Sequence, residues 1–155
     1  MKPHVRIELV TKVMATADAF LREGHKLFRP FGLTSAQYNV LNILIHHPDG
    51  LSQRELGDRL VVDRSNVTGL LDRLEKSGRV RRKDDPEDRR VYRVSLTPAG
   101  QALWARVHPR YLDVVAQVTR GLPVSGMRAC LDTLSQLESR AAEWKLPPNF
   151  EAEKL

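Results

Sequence analysis

The sequence predicts a mainly α-helical fold interrupted by one small β-hairpin. Three observations predict it. Apolar residues recur at alternating spacings of three and four through most of the chain. These runs open on capping residues or stop at glycine and proline. Only between Gly78 and Thr97 does the period fall to two, on either side of a polar loop that contains a proline.

The first element is a long helix. Ile7, Val10, Met14, Ala17, Leu21, Gly24 and Phe28 form its stripe, Val13, Phe20 and Leu27 widen it, and Pro30 and Gly32 end it. Thr34 opens a second helix, with Gln37 placed to complete a capping box, and the run HHPDG stops it at Pro48 and Gly50. Its apolar residues are Tyr38, Leu41, Ile43, Leu44 and Ile45. Ser52 and Glu55 repeat the box and start a short helix through Leu60. After the connector Val61-Val62, Asp63 is positioned to cap a helix that runs to Gly78 over Val67, Leu70, Leu71 and Leu74. Two short helices joined this closely form a helix-turn-helix pattern.

Strand-like segments come next at residues 79–83 and 91–96, the second alternating Tyr92, Val94 and Leu96 with Val91, Arg93 and Ser95. Between them DDPEDRR suits a hairpin tip, so the helix-turn-helix gains a wing. Thr97-Pro98 starts the next helix, striped by Trp104, Val107, Tyr111, Val114 and Val118, and Pro109 inside it should kink it. The last helix carries Met127, Cys130, Leu134, Leu137, Ala141 and Trp144 on one side. The expected organisation is a winged helix over residues 31–100, a helical dimerisation lobe from residues 1–30 and 101–146, and a tail at 147–155. The long stripes carry more apolar area than one small lobe hides, and a second copy of the chain is the economical cover.

Composition excludes several classes. The 155 residues suit one domain or two small lobes, and no run of 18 apolar residues could span a membrane. The N-terminal MKPHVRIELVTK lacks the apolar core of a signal peptide, which predicts a cytoplasmic protein. No nucleophile–base set, phosphate-binding glycine loop or metal-ligand spacing is present, so neither an enzyme nor a cofactor is expected. His46 and His47 are adjacent and point apart on a helix, and His108 has Leu112 four residues on, so no metal site is assigned.

The segment LSQRELGDRLVVDRSNVTGLLDRLEKSGRVRRKDDPEDRRVYRVSLTPAG, residues 51–100, closely resembles the MarR family of bacterial winged-helix transcriptional regulators. VTGLLDRLEKSGRVRR, DPEDRR and SLTPAG, in that order, carry the resemblance, and the flanking helices extend it over nearly the whole chain. It implies a homodimeric repressor that binds a pseudo-palindromic operator in double-stranded DNA and is released by a small-molecule effector, often aromatic or phenolic. Two recognition helices would then enter major grooves roughly 34–36 Å apart.

The residues themselves agree. Arg64, Ser65, Asn66 and Thr68 stand at the start of the recognition helix, where side chains enter the groove first. Arg73 is a candidate phosphate contact further along, and Ser52, Gln53 and Arg54 begin the helix that crosses the backbone. In the wing, the resemblance implies a minor-groove arginine braced by an aspartate; Arg90 and Asp88 match those roles, with Arg89 the competing choice. His25 and Tyr38 are candidates for the polar groups of an effector site where helices one, two and five meet. Oxidant-sensing relatives carry a cysteine near the start of the first helix; this chain has only Cys130, expected to be a buried, inert thiol. A winged-helix protein-interaction module and a metal- or redox-responsive regulator are the alternative readings.

The net charge of +6 is spread as +3 over residues 1–30, +2 over 31–100 and +1 over 101–155. The DNA-reading segment is therefore barely basic by count. The signal lies in where its cations stand.

Overall fold

The computed structural model describes residues 3–60, 66–86, 88 and 91–145. Asp63, the connector Val61-Val62 and the tail at 147–155 lie outside the described residues. Helix α1 (Pro3–Phe28) runs into a single 3-10 turn at Arg29–Phe31. Pro30 sits in that turn, and Gly32 closes it at φ 65°, where a side chain would be strained. Helix α2 (Ser35–Leu44) begins with the expected box: the Gln37 N–H donates to Thr34 Oγ1 at 3.2 Å and the Thr34 N–H to Gln37 Oε1 at 2.9 Å. Strand β1 (Leu51–Ser52) leads directly into α3 (Gln53–Arg59), whose Ser52–Glu55 box is also complete. Helix α4 (Val67–Lys76), strands β2 (Val80–Asp84) and β3 (Tyr92–Leu96), and helices α5 (Pro98–Val118) and α6 (Val124–Glu143) complete the order.

The wing is a three-stranded antiparallel sheet in the order β1-β3-β2. Arg82 pairs with Val94 and Asp84 with Tyr92, while Leu51 pairs with Val94 from the other side. The hairpin alone was expected. The added strand is two residues long, too short to show a period, and Ser52 serves both as its end and as the cap of α3. Val94 and Leu96 enter the core as the alternation requires, but Ser95 between them is buried as well, and Tyr92, paired with Asp84 at the end of the ladder, is exposed.

The core gathers Val40, Leu41 and Leu44 of α2, Leu56 of α3, all four stripe residues of α4, Val80 and Val94 of the sheet, and Val107 of α5. Full burial of each such side chain is worth roughly 1.5–3 kcal/mol. Close packing also fixes two glycines. A side chain at Gly50 (φ 82°) would meet the Val94 carbonyl at 2.7 Å, and one at Gly100 would meet the Arg79 carbonyl at 2.0 Å.

The chain divides into two compact units, one up to Val114 and one from Val115. In the first, α1 joins the core only through its last turn: Phe28 is buried and Leu27 packs against it, while residues 4–12 are exposed throughout. In the second, no residue of α6 is buried. Cys130 is exposed, which corrects the expectation of a buried thiol: it does lie on the α6 stripe, but that stripe is covered only in part, at Met127 and Leu137. Helix α5 stays helical through Pro109.

Candidate nucleic-acid interface

The first turn of α3 is held by local chemistry. Ser52 accepts from the Glu55 N–H, and the Glu55 carboxylate accepts from the Ser52 N–H at 2.8 Å. These hydrogen bonds, the backbone one first, pull the Glu55 carboxyl below its ordinary range. The capping leaves Arg54 exposed on the same turn. Gln53 turns toward the next helix, its Nε2 donating to Thr68 Oγ1 at 2.6 Å. Two shallow clefts flank this pair of residues. One, of about 260 Å³, is lined by Gln53, Arg54, Gly57, Asp58 and Val67; the other, of about 340 Å³, reaches from Ser52, Gln53 and Arg54 to Arg82, Val91, Tyr92 and Val94 of the sheet.

Helix α4 presents a sharply divided surface. Val67, Leu70, Leu71 and Leu74 are buried, and Asn66, Thr68, Asp72, Arg73 and Lys76 are exposed. Asn66 stands at the N-cap position without a capping hydrogen bond from its side chain, which leaves the amide available to a ligand. The other two predicted residues of this turn, Arg64 and Ser65, lie outside the described residues.

The wing is tied down by arginines that sequence reasoning left unassigned. Arg82 of β2 reaches back to α4, where its guanidinium bonds the carboxylates of Asp72 (2.6 Å) and Glu75, and its N–H donates to Glu75 Oε1 at 3.1 Å. Partial burial by itself lowers the Arg82 guanidinium, but the hydrogen bonds to both carboxylates outweigh it and the net shift is upward. Arg93 of β3 donates from Nε to Asp85 Oδ2 at 2.7 Å and from Nη1 to the Gly50 carbonyl at 2.9 Å. Asp85 in turn receives the Asp88 N–H at 3.3 Å. Arg89 and Arg90 lie outside the described residues, and with them the bracing role expected of the Asp88 side chain. Among the described residues, Arg54, Arg73 and Lys83 are exposed cations without an ion pair, whereas Arg82 is committed to holding the wing.

Tyr38 belongs to a different cluster. Its ring stacks on Phe28 at 4.4 Å, its Oη and His108 Nδ1 share a hydrogen bond of 2.9 Å, and Tyr111 lies 5.2 Å away. His108 stacks on Trp104 at 4.4 Å, whose indole N–H donates to Asn42 Oδ1 at 3.1 Å. Burial pushes the Tyr38 phenol up to about 12, with Tyr111 adding to it, so the hydrogen bond to His108 involves the neutral phenol at physiological pH. The ring contacts of this cluster do not include His25, which is exposed on α1. Trp104, His108 and Asn42 were not assigned to this site from sequence, because they come from positions 62 to 70 residues apart from their partners. Among the described residues no group of His, Cys, Asp or Glu is arranged to hold a metal ion, and no helix is long and apolar enough to cross a membrane.

A helix-turn-helix with a polar recognition face and a wing braced against it defines a winged-helix DNA-binding fold. Residues 31–91 match the family model described as MarR family. The chain is 36% identical over 144 residues to the HTH-type transcriptional regulator TtmR of Methylorubrum extorquens (strain PA1), covering 90% of this chain and 72% of that protein. It is 34% identical over 115 residues to the homoprotocatechuate degradative operon repressor of Escherichia coli, covering 72% and 77%. The crystal structure of CouR from Rhodococcus jostii RHA1 bound to p-coumaroyl-CoA is similar with a TM-score of 0.76 at 26% identity, over 93% of this chain and 95% of that one. The chain belongs to the MarR family of transcriptional regulators.

Proposed function

We propose that this regulator acts as a homodimeric repressor that binds a pseudo-palindromic operator in double-stranded DNA and releases it when a small aromatic effector binds. The observation that carries the reading is the divided surface of α4: an apolar face locked into the core and an outer face bearing Asn66, Thr68 and Arg73. A protein-interaction module would show apolar residues there. Arg64 and Ser65 extend the same face in sequence, and Ser52 and Arg54 sit where α3 crosses the sugar–phosphate backbone. Arg90, or Arg89 beside it, supplies the wing's minor-groove contact, with Asp88 bracing it.

Residues 1–30 and 101–146 form the dimer interface in this reading, supported by the exposed apolar side chains of α1 and α6. The effector reading is supported by the cluster around Tyr38 and His108, which offers aromatic faces and a hydrogen-bonding pair. The relatives point the same way. One of them is a repressor of a homoprotocatechuate degradative operon, and a solved structure of another carries p-coumaroyl-CoA, an aromatic acyl thioester.

The test is binding of the purified protein to duplex DNA flanking its own gene, over a range of salt and with a panel of aromatic carboxylates and their thioesters. Affinity for one site should exceed that for random duplex by about 10³-fold or more and fall linearly with salt on logarithmic axes. Equal affinity for every duplex would overturn the reading.

A further inference from the structure

Gln53 and Thr68 come from different helices, the first residue of α3 and the second of α4, and a hydrogen bond of 2.6 Å joins them. We infer that Gln53 is a positioning residue for sequence readout: it fixes the Thr68 hydroxyl so that the recognition helix reads a thymine in each half-site. The inference rests on the DNA-reading function proposed above and names one base of that site.

The inventory of donors and acceptors at Thr68 decides which base fits. A threonine hydroxyl can both donate and accept, so a free one tolerates adenine and cytosine amino groups as well as guanine and thymine acceptors. Here the Gln53 amide N–H occupies an acceptor position of Thr68 Oγ1. That leaves Thr68, exposed on the outer face of α4, one acceptor position, its O–H as a donor and its γ-methyl as an apolar contact, with the oxygen held in place so that donor and methyl face the groove as a fixed pair. The major-groove edge of thymine carries the complementary pair, an O4 acceptor beside a C5 methyl. No other base sets an acceptor beside a methyl: cytosine presents an amino donor, and adenine and guanine offer acceptors without the apolar partner. Gln53 is half-buried and follows the completed Ser52–Glu55 capping box, which fixes the backbone from which its amide reaches Thr68.

The test is selection from a random duplex pool with the wild-type dimer, Gln53→Ala, Thr68→Val and the double variant, together with their affinities for non-specific duplex and their thermal unfolding. Wild type should enrich thymine at one position per half-site. Each single variant should relax that preference on the order of tenfold at the same position. The double variant should relax it no further, and Thr68→Ser should restore a preference for an acceptor. Unfolding should stay near wild type, because neither residue belongs to the buried core, and any loss of non-specific affinity should be the same for every duplex and smaller than the loss of preference. If Gln53→Ala weakens all sequences equally and leaves the preference intact, Gln53 is a backbone contact only and the inference is overturned. Independent losses that multiply in the double variant, or preferences changed at different positions, overturn it as well. If the wild type enriches no sequence, the failure lies in the regulator reading itself.

Discussion

Helices α4 and α1 carry apolar stripes of the same period and meet opposite fates. Val67, Leu70, Leu71 and Leu74 of α4 are each 4% exposed or less. On α1, Ile7, Met14 and Leu21 are 65%, 68% and 63% exposed. The difference lies in what the rest of the chain places opposite each stripe. Helices α2 and α3 and the sheet close over α4, whereas the residues of α1 that join this core are Leu27 and Phe28. Periodicity therefore locates an apolar face but does not say what covers it. In the proposed homodimer such a stripe is covered by the same element of a second chain.

The largest expected effect comes from attacking the uncovered stripe. Met14→Lys combined with Leu21→Lys should leave α2–α4 and the sheet folded, since neither residue touches that core. It should halve the mass seen in sedimentation and, by removing simultaneous use of two half-sites, weaken operator binding roughly a hundredfold or more. An unchanged mass with full operator affinity would show that the stripe has another role.

The covered side of the comparison breaks at Gly100. An added methyl would stand 2.0 Å from the Arg79 carbonyl oxygen and 3.3 Å from Leu96 Cδ2. That carbonyl cannot retreat freely, because it also accepts from the Thr97 N–H at 3.1 Å and the Thr97 hydroxyl at 3.2 Å. Gly100→Ala should cost about 3 kcal/mol of stability, read as a lower denaturation midpoint without a change in the mass of the folded fraction. The two variants thus separate assembly from folding.

The same contrast explains what could be read from the sequence. Both capping boxes, Thr34 with Gln37 and Ser52 with Glu55, were legible because each is closed within one helical turn. So was the buried face of α4. Strand β1 was not, because two residues define no period. Nor were the arginine ties, since Arg82 finds Asp72 10 residues away, Arg93 finds Gly50 at 43 and Arg79 donates to the Gly32 carbonyl at 47. In sequence these three look like members of a basic wing. Only the register of the sheet shows that Arg82 faces α4, while its neighbour Lys83 is exposed. For the DNA-reading surface, residue types and order were visible in the sequence, but the bond between Gln53 and Thr68 required the two helices to be placed.

Arg82 gives a smaller effect on stability than Gly100 and a sharper one on geometry. Its side chain is 22% exposed, but those of Asp72 and Glu75 are 58% and 38% exposed, so solvent screens much of the attraction. Arg82→Ala should therefore cost only about 1 kcal/mol, and the bond from its own N–H to Glu75 would survive the substitution. The wing, however, would lose its side-chain tie to the recognition helix. Operator affinity should then fall by more than the stability loss explains, although Arg82 itself faces the protein. Arg82→Lys should recover only part of it, because an ammonium cannot fork to two carboxylates as a guanidinium does. The measurement is affinity for operator against affinity for non-specific duplex, at matched fractions of folded protein. A wing that is merely part of the core would lose both in proportion to unfolding; a wing held in register by Arg82 loses operator affinity first.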